Sequence, residues 1–241
     1  MHRLLVPSDA LAAETATLPR DAAHHLKVLR PKPGESIELF DGRGHTRAYA
    51  WSPEGLHAVG ERKALPPSSL KLTLFACVTK GSRWDWTIEK AVELGVARIV
   101  PVISDRCIVR LSSAERPAKA ERWMRIAEDA ARQSDAVWLP EILPAVDFPE
   151  ALALVRTCDR VFVGALTNPP PPPLLAAVTS ESMASGASLG FFVGPEGDFT
   201  PAELAALLEI ATPVSLGPTI LRAETAAIYG VAVLAAAANR S

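Results

Sequence analysis

The chain has 241 residues, of which 49% are hydrophobic, and a formal net charge of −2. That length suits one large domain, or a small domain joined to a medium one, with enough apolar content for a sizeable core. The near-neutral balance gives no global sign of a nucleic-acid partner, and no unbroken apolar run reaches the roughly 20 residues of a membrane helix.

From the N-terminus, Met1 to Pro7 lacks the long apolar core of a signal peptide, which fits a soluble cytoplasmic protein. Residues 1 to about 63 hold short strand-like runs between turn residues. Asp21 to Leu29 has the spacing of a short helix and stops at Arg30-Pro31. Ser36 to Phe40 alternates polar and apolar residues, Asp41-Gly42 turns the chain, and Thr46 to Trp51 continues as a second strand. Together these predict a small β-barrel over residues 1–66. This stretch carries nine Lys/Arg against eight Asp/Glu and all five histidines. Any RNA contact must therefore use local patches. Leu65 to Ser69 is a linker by composition.

Strand and helix then alternate over residues 70–241. Leu70 to Val78, Ala97 to Ile103, Arg160 to Leu166, Ser188 to Val193 and Pro213 to Leu216 are predicted strands. Trp84 to Leu94, Lys119 to Arg132, Phe148 to Arg156, Pro201 to Ile210 and Ala223 to Asn239 are predicted helices. Such alternation predicts an α/β domain with a mainly parallel sheet covered by helices. Asn168 and the five prolines Pro169 to Pro173 form a stiff surface spacer, barred from helix and central strand. Cys77, Cys107 and Cys158 are widely spaced and form no C-x-x-C pair, which argues against a metal site and a disulfide framework. They read as ordinary, partly buried small residues.

In a parallel sheet, ligands bind beyond the carboxyl ends of the strands. Three predicted strand ends carry loops that permit close backbone approach, at residues 163–168, 193–203 and 215–225. In the second, Gly194 and Gly197 free the backbone and Pro195 stiffens it. Thr200 and Glu203 form a capping box, with Pro201 at the first helical position. The glycine spacing matches neither a P-loop nor a dinucleotide fingerprint. A β-branched residue at position 194 is expected to fill space that a ligand needs. In the third loop, Leu216 to Leu221 is almost uncharged and suits the edge and faces of a purine. Arg222 opposes the dipole of the helix that follows, so a purely structural role suits it poorly. An arginine beside an apolar pocket can grip a phosphate or carboxylate. Glu224 reads equally as dipole matching.

These loops, in this order, resemble the SPOUT superfamily of methyltransferases, and within it the RsmE family that methylates N3 of a uridine in 16S ribosomal RNA. The resemblance rests on Val193 to Thr200 and on Leu216 to Ala226. Lys80, the run Glu89 to Val96, Asp105-Arg106-Cys107, Arg122-Trp123 and Ile126-Ala127 also fit. It implies an N-terminal PUA-like barrel that assists RNA binding and a C-terminal domain closed by a deep trefoil knot. It further implies a homodimer, with S-adenosylmethionine bound in the knot and no metal. The expected cofactor residues are Leu166, Thr167, Gly194, Pro195, Glu196, Gly197, Leu216, Gly217, Ile220, Leu221 and Arg222, with the adenine held by backbone groups near Leu216, Gly217 and Leu221. Two stretches depart from the family pattern. Gly197-Asp198-Phe199 stands where Gly-Gly-Phe is usual. Ser134-Asp135-Ala136 stands where Ser/Cys-Gly-Arg is usual, so an expected arginine is missing at Ala136.

Uridine N3 is a poor nucleophile while protonated. Arg222 is the first candidate to stabilise the developing imide anion or hold a phosphate. Glu196 and Glu224 are candidate proton acceptors, or orient Arg222. Arg3, Arg20, Lys27, Arg30, Lys32, Lys80, Arg83, Arg106 and Arg110 are the expected phosphate contacts of 16S RNA or the small ribosomal subunit. Two alternatives stay open: a relative that methylates another target such as a ribose 2′-hydroxyl, and a non-catalytic RNA-binding protein with the same fold.

Overall fold

The described residues of the computed structural model are 2–68, 71–179 and 186–238. Three expected boundaries, Ser69 of the linker, Leu70 at the first strand of the second domain and Asn239 at the end of the last helix, lie outside them. Contacts divide the chain into two units, Met1–Pro67 with Glu128–Leu139, and Ser68–Ala127 with Pro140–Ser241. The grouping of 128–139 with the N-terminal strands was not expected from the sequence.

The first unit contains β1 (His2–Leu5), β2 (Thr15–Ala16), α1 (Arg20–Leu29), β3 (Ser36–Phe40), β4 (His45–Ser52), β5 (Gly55–Ala58) and β6 (Lys63–Ala64). Its sheet runs β1-β3-β4-β5-β2, with β6 on β4. β1 pairs parallel to β3 and the other pairs are antiparallel. Leu4, Leu11, Ile37, Leu39, Tyr49 and Leu56 fill its core. Asp41 organises the turn between β3 and β4. Its Oδ2 accepts from the Ser8 hydroxyl at 2.7 Å, and its Oδ1 accepts from the amides of Arg43 and His45 at 2.8 and 3.0 Å. The His45 ring lies 2.9 Å from Oδ2. Gly42 and Gly44 have φ of 68° and 90°. A Cβ there would sit 2.6 Å from Leu139 and 2.5 Å from the Trp138 ring, so glycine is required twice over. The Gly44 amide donates to Val137 and the Leu139 amide to Gly42, which laces residues 137–139 onto the turn.

Arg3 corrects an expectation. It is 4% exposed, and its guanidinium donates to Glu38 at 2.7 Å and to the carbonyls of Ala131 and Ala136 at 2.9 and 3.2 Å. It also lies 4.3 Å over the Phe40 ring. Enclosed in this way, it binds a carbonyl in the last turn of a helix and one just beyond it, and is withdrawn from any phosphate.

The second unit contains β7 (Lys71–Cys77), α2 (Ser82–Glu93), β8 (Arg98–Ile103), α3 (Arg116–Gln133, whose last residues group with the first unit), β9 (Glu141–Ile142), β10 (Val146–Asp147), α4 (Phe148–Val155), β11 (Arg160–Gly164), α5 (Leu174–Thr179), β12 (Ser188–Val193), α6 (Pro201–Leu208), β13 (Thr212–Val214) and α7 (Ala223–Ala238). The sheet order is β10-β8-β7-β12-β11-β13, with β9 also on β8, and every pair is parallel. The alternation read from the sequence thus yields a mixed α/β unit on a parallel sheet. The short α5, β9 and β10 were not anticipated. Each spans at most six residues, too few for a hydrophobic period to register.

Phe75 stacks on Phe192 at 5.5 Å, and Phe148 and Phe199 close around Phe192 at 6.0 and 5.6 Å. Cys77 and Cys107, far apart in sequence, both bond Ser104 within this core. Among the described residues, no helix is long and apolar enough to cross a membrane, and no group of three or more His, Cys, Asp or Glu is placed to hold a metal ion.

Candidate active site

The order β12-β11-β13 places three strand ends side by side. Because the strands are parallel and in register (Val163 opposite Phe192, Gly164 opposite Val214), their loops leave the same edge of the sheet. The loops line one cavity of about 290 Å³. Gly164, Ala165 and Leu166 come from the first loop, Gly194, Pro195, Glu196 and Asp198 from the second, and Ser215 to Gly217 and Thr219 to Ala223 from the third. Val193, Val214 and Ala226 close the floor.

The second and third loops are braced by hydrogen bonds. Thr200 and Glu203 form the expected capping box, and Pro201 opens α6. Glu203 is 7% exposed; its Oε2 accepts from the Thr200 amide and its Oε1 from the Asp105 amide, both at 2.9 Å. Arg106 Nη1 donates to the carbonyls of Gly197 and Phe199 at 3.0 and 3.2 Å. The loop after β8 thereby clamps the loop after β12, and Phe199 pins it to the core. Asp198 sits at φ 59°, a left-handed conformation that Asp tolerates better than most residues, and its own carboxylate accepts from the Phe199 amide at 2.7 Å.

The third loop is held by the proline run. The Ser215 amide donates to the Pro172 carbonyl at 2.9 Å, and the Leu174 amide donates to Ser215 at 3.0 Å. Proline lacks an N–H but keeps its carbonyl, so this spacer serves as an edge partner to β13. Gly217, at φ 132°, turns the loop, and its amide donates to the Ser215 hydroxyl at 3.3 Å.

Nine of the eleven expected cofactor residues line the cavity. Thr167 and Gly197 are not among its lining residues. The Thr167 hydroxyl donates to the Pro169 carbonyl at 2.9 Å, and the side-chain direction of Gly197 faces Arg106. Among the polar lining residues, sequence reasoning missed Asp198, Ser215 and Thr219, although all three stand inside the loops it singled out.

Gly194 lines the cavity, but the expectation for a side chain at this position is corrected. A Cβ there would meet the Phe199 ring at 3.1 Å. A side chain at this position presses on the aromatic core, not into the cavity. Gly194→Val is therefore expected to lower stability by about 1–3 kcal/mol through overpacking. Its melting point should fall whether or not a ligand is added. A melting point equal to wild type would restore the ligand-space reading.

Arg222 is exposed on the cavity rim and has no ion-pair partner among the described residues. Glu196 and Glu224 do not orient it, as one reading of the sequence had it. They share Arg83, whose Nη1 lies 3.4 Å from Glu196 Oε1 and whose Nε lies 3.8 Å from Glu224 Oε1. Glu196 lines the cavity, whereas Glu224, 9% exposed, does not, and its Oε2 is unpartnered among the described residues. Of the expected phosphate contacts, Arg20, Lys27, Arg30 and Lys32 are exposed in the first unit, and Lys80, Arg106 and Arg110 in the second.

A family described as RNA methyltransferase domain matches residues 66–235, and one described as RNA methyltransferase PUA domain matches residues 18–50. Ribosomal RNA small subunit methyltransferase E of Synechocystis sp. is 31% identical over 96% of this chain and 76% of its own length. A crystal structure of a ribosomal RNA small subunit methyltransferase E from Neisseria gonorrhoeae bound to S-adenosyl methionine superposes with a TM-score of 0.81 at 30% identity, covering 97% of this chain and 96% of that one. A Legionella pneumophila methyltransferase in complex with bound SAM gives 0.76 at 26% identity over 98% of each chain. With its three-loop cavity and these likenesses along nearly its whole length, the chain belongs to the RNA methyltransferase family that includes the ribosomal RNA small subunit methyltransferase E proteins.

Proposed function

We propose that this protein methylates N3 of a uridine in 16S ribosomal RNA, with S-adenosylmethionine as methyl donor. The observation that carries the reading is the single cavity shared by three adjacent loops. Its volume of about 290 Å³ is near the lower bound for small-molecule sites, which fits a nucleoside held partly open to solvent. Leu216, Ile220 and Leu221 offer apolar walls to a purine, and the carboxylates of Glu196 and Asp198 suit a positively charged sulfonium. Backbone groups of Leu216, Gly217 and Leu221 would hold the adenine. Bound S-adenosylmethionine supplies a methyl group made electrophilic by its sulfur.

The protein's part is to position uridine N3 and to manage its proton. Positioning alone contributes up to roughly 7–11 kcal/mol in favourable cases. Arg222, exposed on the rim and without an ion-pair partner among the described residues, stabilises negative charge on the uracil oxygens. Glu196, on the same cavity, is the better placed proton acceptor, and Glu224 acts behind it. The exposed cations of the first unit (Arg20, Lys27, Arg30 and Lys32) with Lys80 and Arg110 take the RNA phosphates, so the first unit serves as a PUA-like, barrel-shaped RNA-binding domain. The C-terminal segment is threaded as a trefoil knot. The packing of α7 against β7, β12 and α5, and the lacing of Ser215 to Pro172 and Leu174, support that reading. The protein acts as a homodimer in the cytoplasm.

Nucleoside mass spectrometry of 16S RNA treated with the protein should show 3-methyluridine. A ribose-methylated nucleoside in its place, or no methylation, overturns the proposal. Arg222→Ala should slow transfer at least about tenfold, equivalent to about 1.4 kcal/mol, with an unchanged circular dichroism spectrum. Transfer at the wild-type rate removes Arg222 from the chemistry.

A further inference from the structure

We infer that Arg83 is a positioning residue, holding Glu196 at the mouth of the cavity with Glu224 as its fixed anchor. The inference rests on the proposed methyl-transfer reading and assigns Arg83 a role other than phosphate contact. Its guanidinium is within 4 Å of both carboxylates, through different nitrogens. The two glutamates come from different elements, Glu196 from the loop after β12 and Glu224 from the first turn of α7. Two anions brought this close repel each other unless a cation stands between them. The planar guanidinium, with several donors, can serve both at once, whereas an ammonium is a single point charge.

At the start of α2, Asp85 suits the helix dipole whereas Arg83 does not. The helix N-cap is Gly81, at φ 67°, with no side-chain cap. Arg83 stands in the first turn, where a cation opposes the helix dipole. Its backbone is nevertheless fixed. The Thr87 hydroxyl donates to the Arg83 carbonyl at 2.9 Å, and Trp84, 2% exposed, packs edge-on against Trp123. A local rule is broken on a rigid base beside a cavity, which is where function is expected to override helix preference. The anchor is asymmetric as well. The Glu224 side chain is 11% exposed and the Glu196 side chain 24%. Glu224 is thus the more enclosed, and Glu196 is the arm that Arg83 steers.

The test compares wild type, Arg83→Gln and Arg83→Lys in methyl transfer to 16S RNA at several salt concentrations, together with crystal structures of wild type and Arg83→Gln. Arg83→Gln should lower kcat at least about tenfold and leave KM for RNA within about twofold. Its salt dependence should match that of wild type. Arg83→Lys should recover part of the loss. In the Glu196→Gln background, Arg83→Gln should add little, because the group it positions is gone. In the Arg83→Gln crystal, the Glu196 carboxylate should have left the cavity mouth. A raised KM with kcat retained, and a salt slope smaller by about one, would make Arg83 a phosphate contact and overturn the inference. An undisplaced Glu196 overturns it too. If wild type itself transfers no methyl group, the proposed function fails, and the position of Glu196 in the two crystals still decides the role of Arg83.

Discussion

Gly230→Ala is expected to destabilise the protein by about 3 kcal/mol or more, although alanine is the better helix former by about 1 kcal/mol. Gly230 lies midway along α7, where the helix crosses β12. A Cβ built there would fall 1.9 Å from Phe191 Cε1 and 2.2 Å from its Cζ. Phe191 is fully buried and cannot swing away. The helix must therefore lift off the sheet or the ring must leave its rotamer, and either move opens the core. For a chain of this length each kcal/mol shifts the melting point by roughly 2–4 °C. Thermal unfolding followed by circular dichroism should show a fall of about 6–12 °C. Phe191→Leu in the same chain should restore part of it. A melting point above wild type would mean that helix propensity outweighs the close approach. Because α7 begins directly after Arg222, the affinity for the methyl donor should fall along with stability.

Asp41→Asn is expected to remove about 2–3 kcal/mol from the first unit at neutral pH. Burial alone pushes the Asp41 carboxyl up. The hydrogen bonds from the Ser8 hydroxyl, the His45 and Arg43 amides and the His45 ring outweigh it and hold the pKa at about 2, below the ordinary aspartate value of 3.8. A carboxylate whose pKa is depressed by folding contributes stability above its unfolded pKa and loses it as pH falls through the folded one. The wild type should therefore lose this contribution between about pH 4 and about pH 2, and Asp41→Asn should be flat across that window. Urea unfolding followed by tryptophan fluorescence and circular dichroism checks both statements. Parallel pH curves for the two proteins would show that Asp41 is not the group responsible.

Much of the site was legible because its residues are consecutive. The motifs Val193 to Thr200 and Leu216 to Ala226 each put several lining residues on one loop, and a loop at a strand end shows in the period of the flanking apolar residues. The departures from the family pattern were legible as differences but not as conformations. Asp135 and Asp198, both standing where the resemblance leads one to expect glycine, have φ of 59° in the structure. The sequence shows an acidic residue in each place; the fold reveals that each holds a left-handed turn, which Asp can do at modest cost.

What the sequence determined by itself was local: the strand–helix alternation, the capping box at Thr200 and Glu203, and the three strand ends that permit close backbone approach. Hydrophobic period and capping act over one or two turns of chain, so single-chain order carries them. What only the tertiary structure decided was which distant groups meet. Strand order made the loops at 164, 194 and 216 neighbours. It brought Arg83 to glutamates 113 and 141 positions away, enclosed Arg3 against Ala131 and Ala136, and set Gly230 against Phe191. Side chains carry no local mark of a partner so far along the chain, because long-range packing is selected by the whole core and not by any one segment.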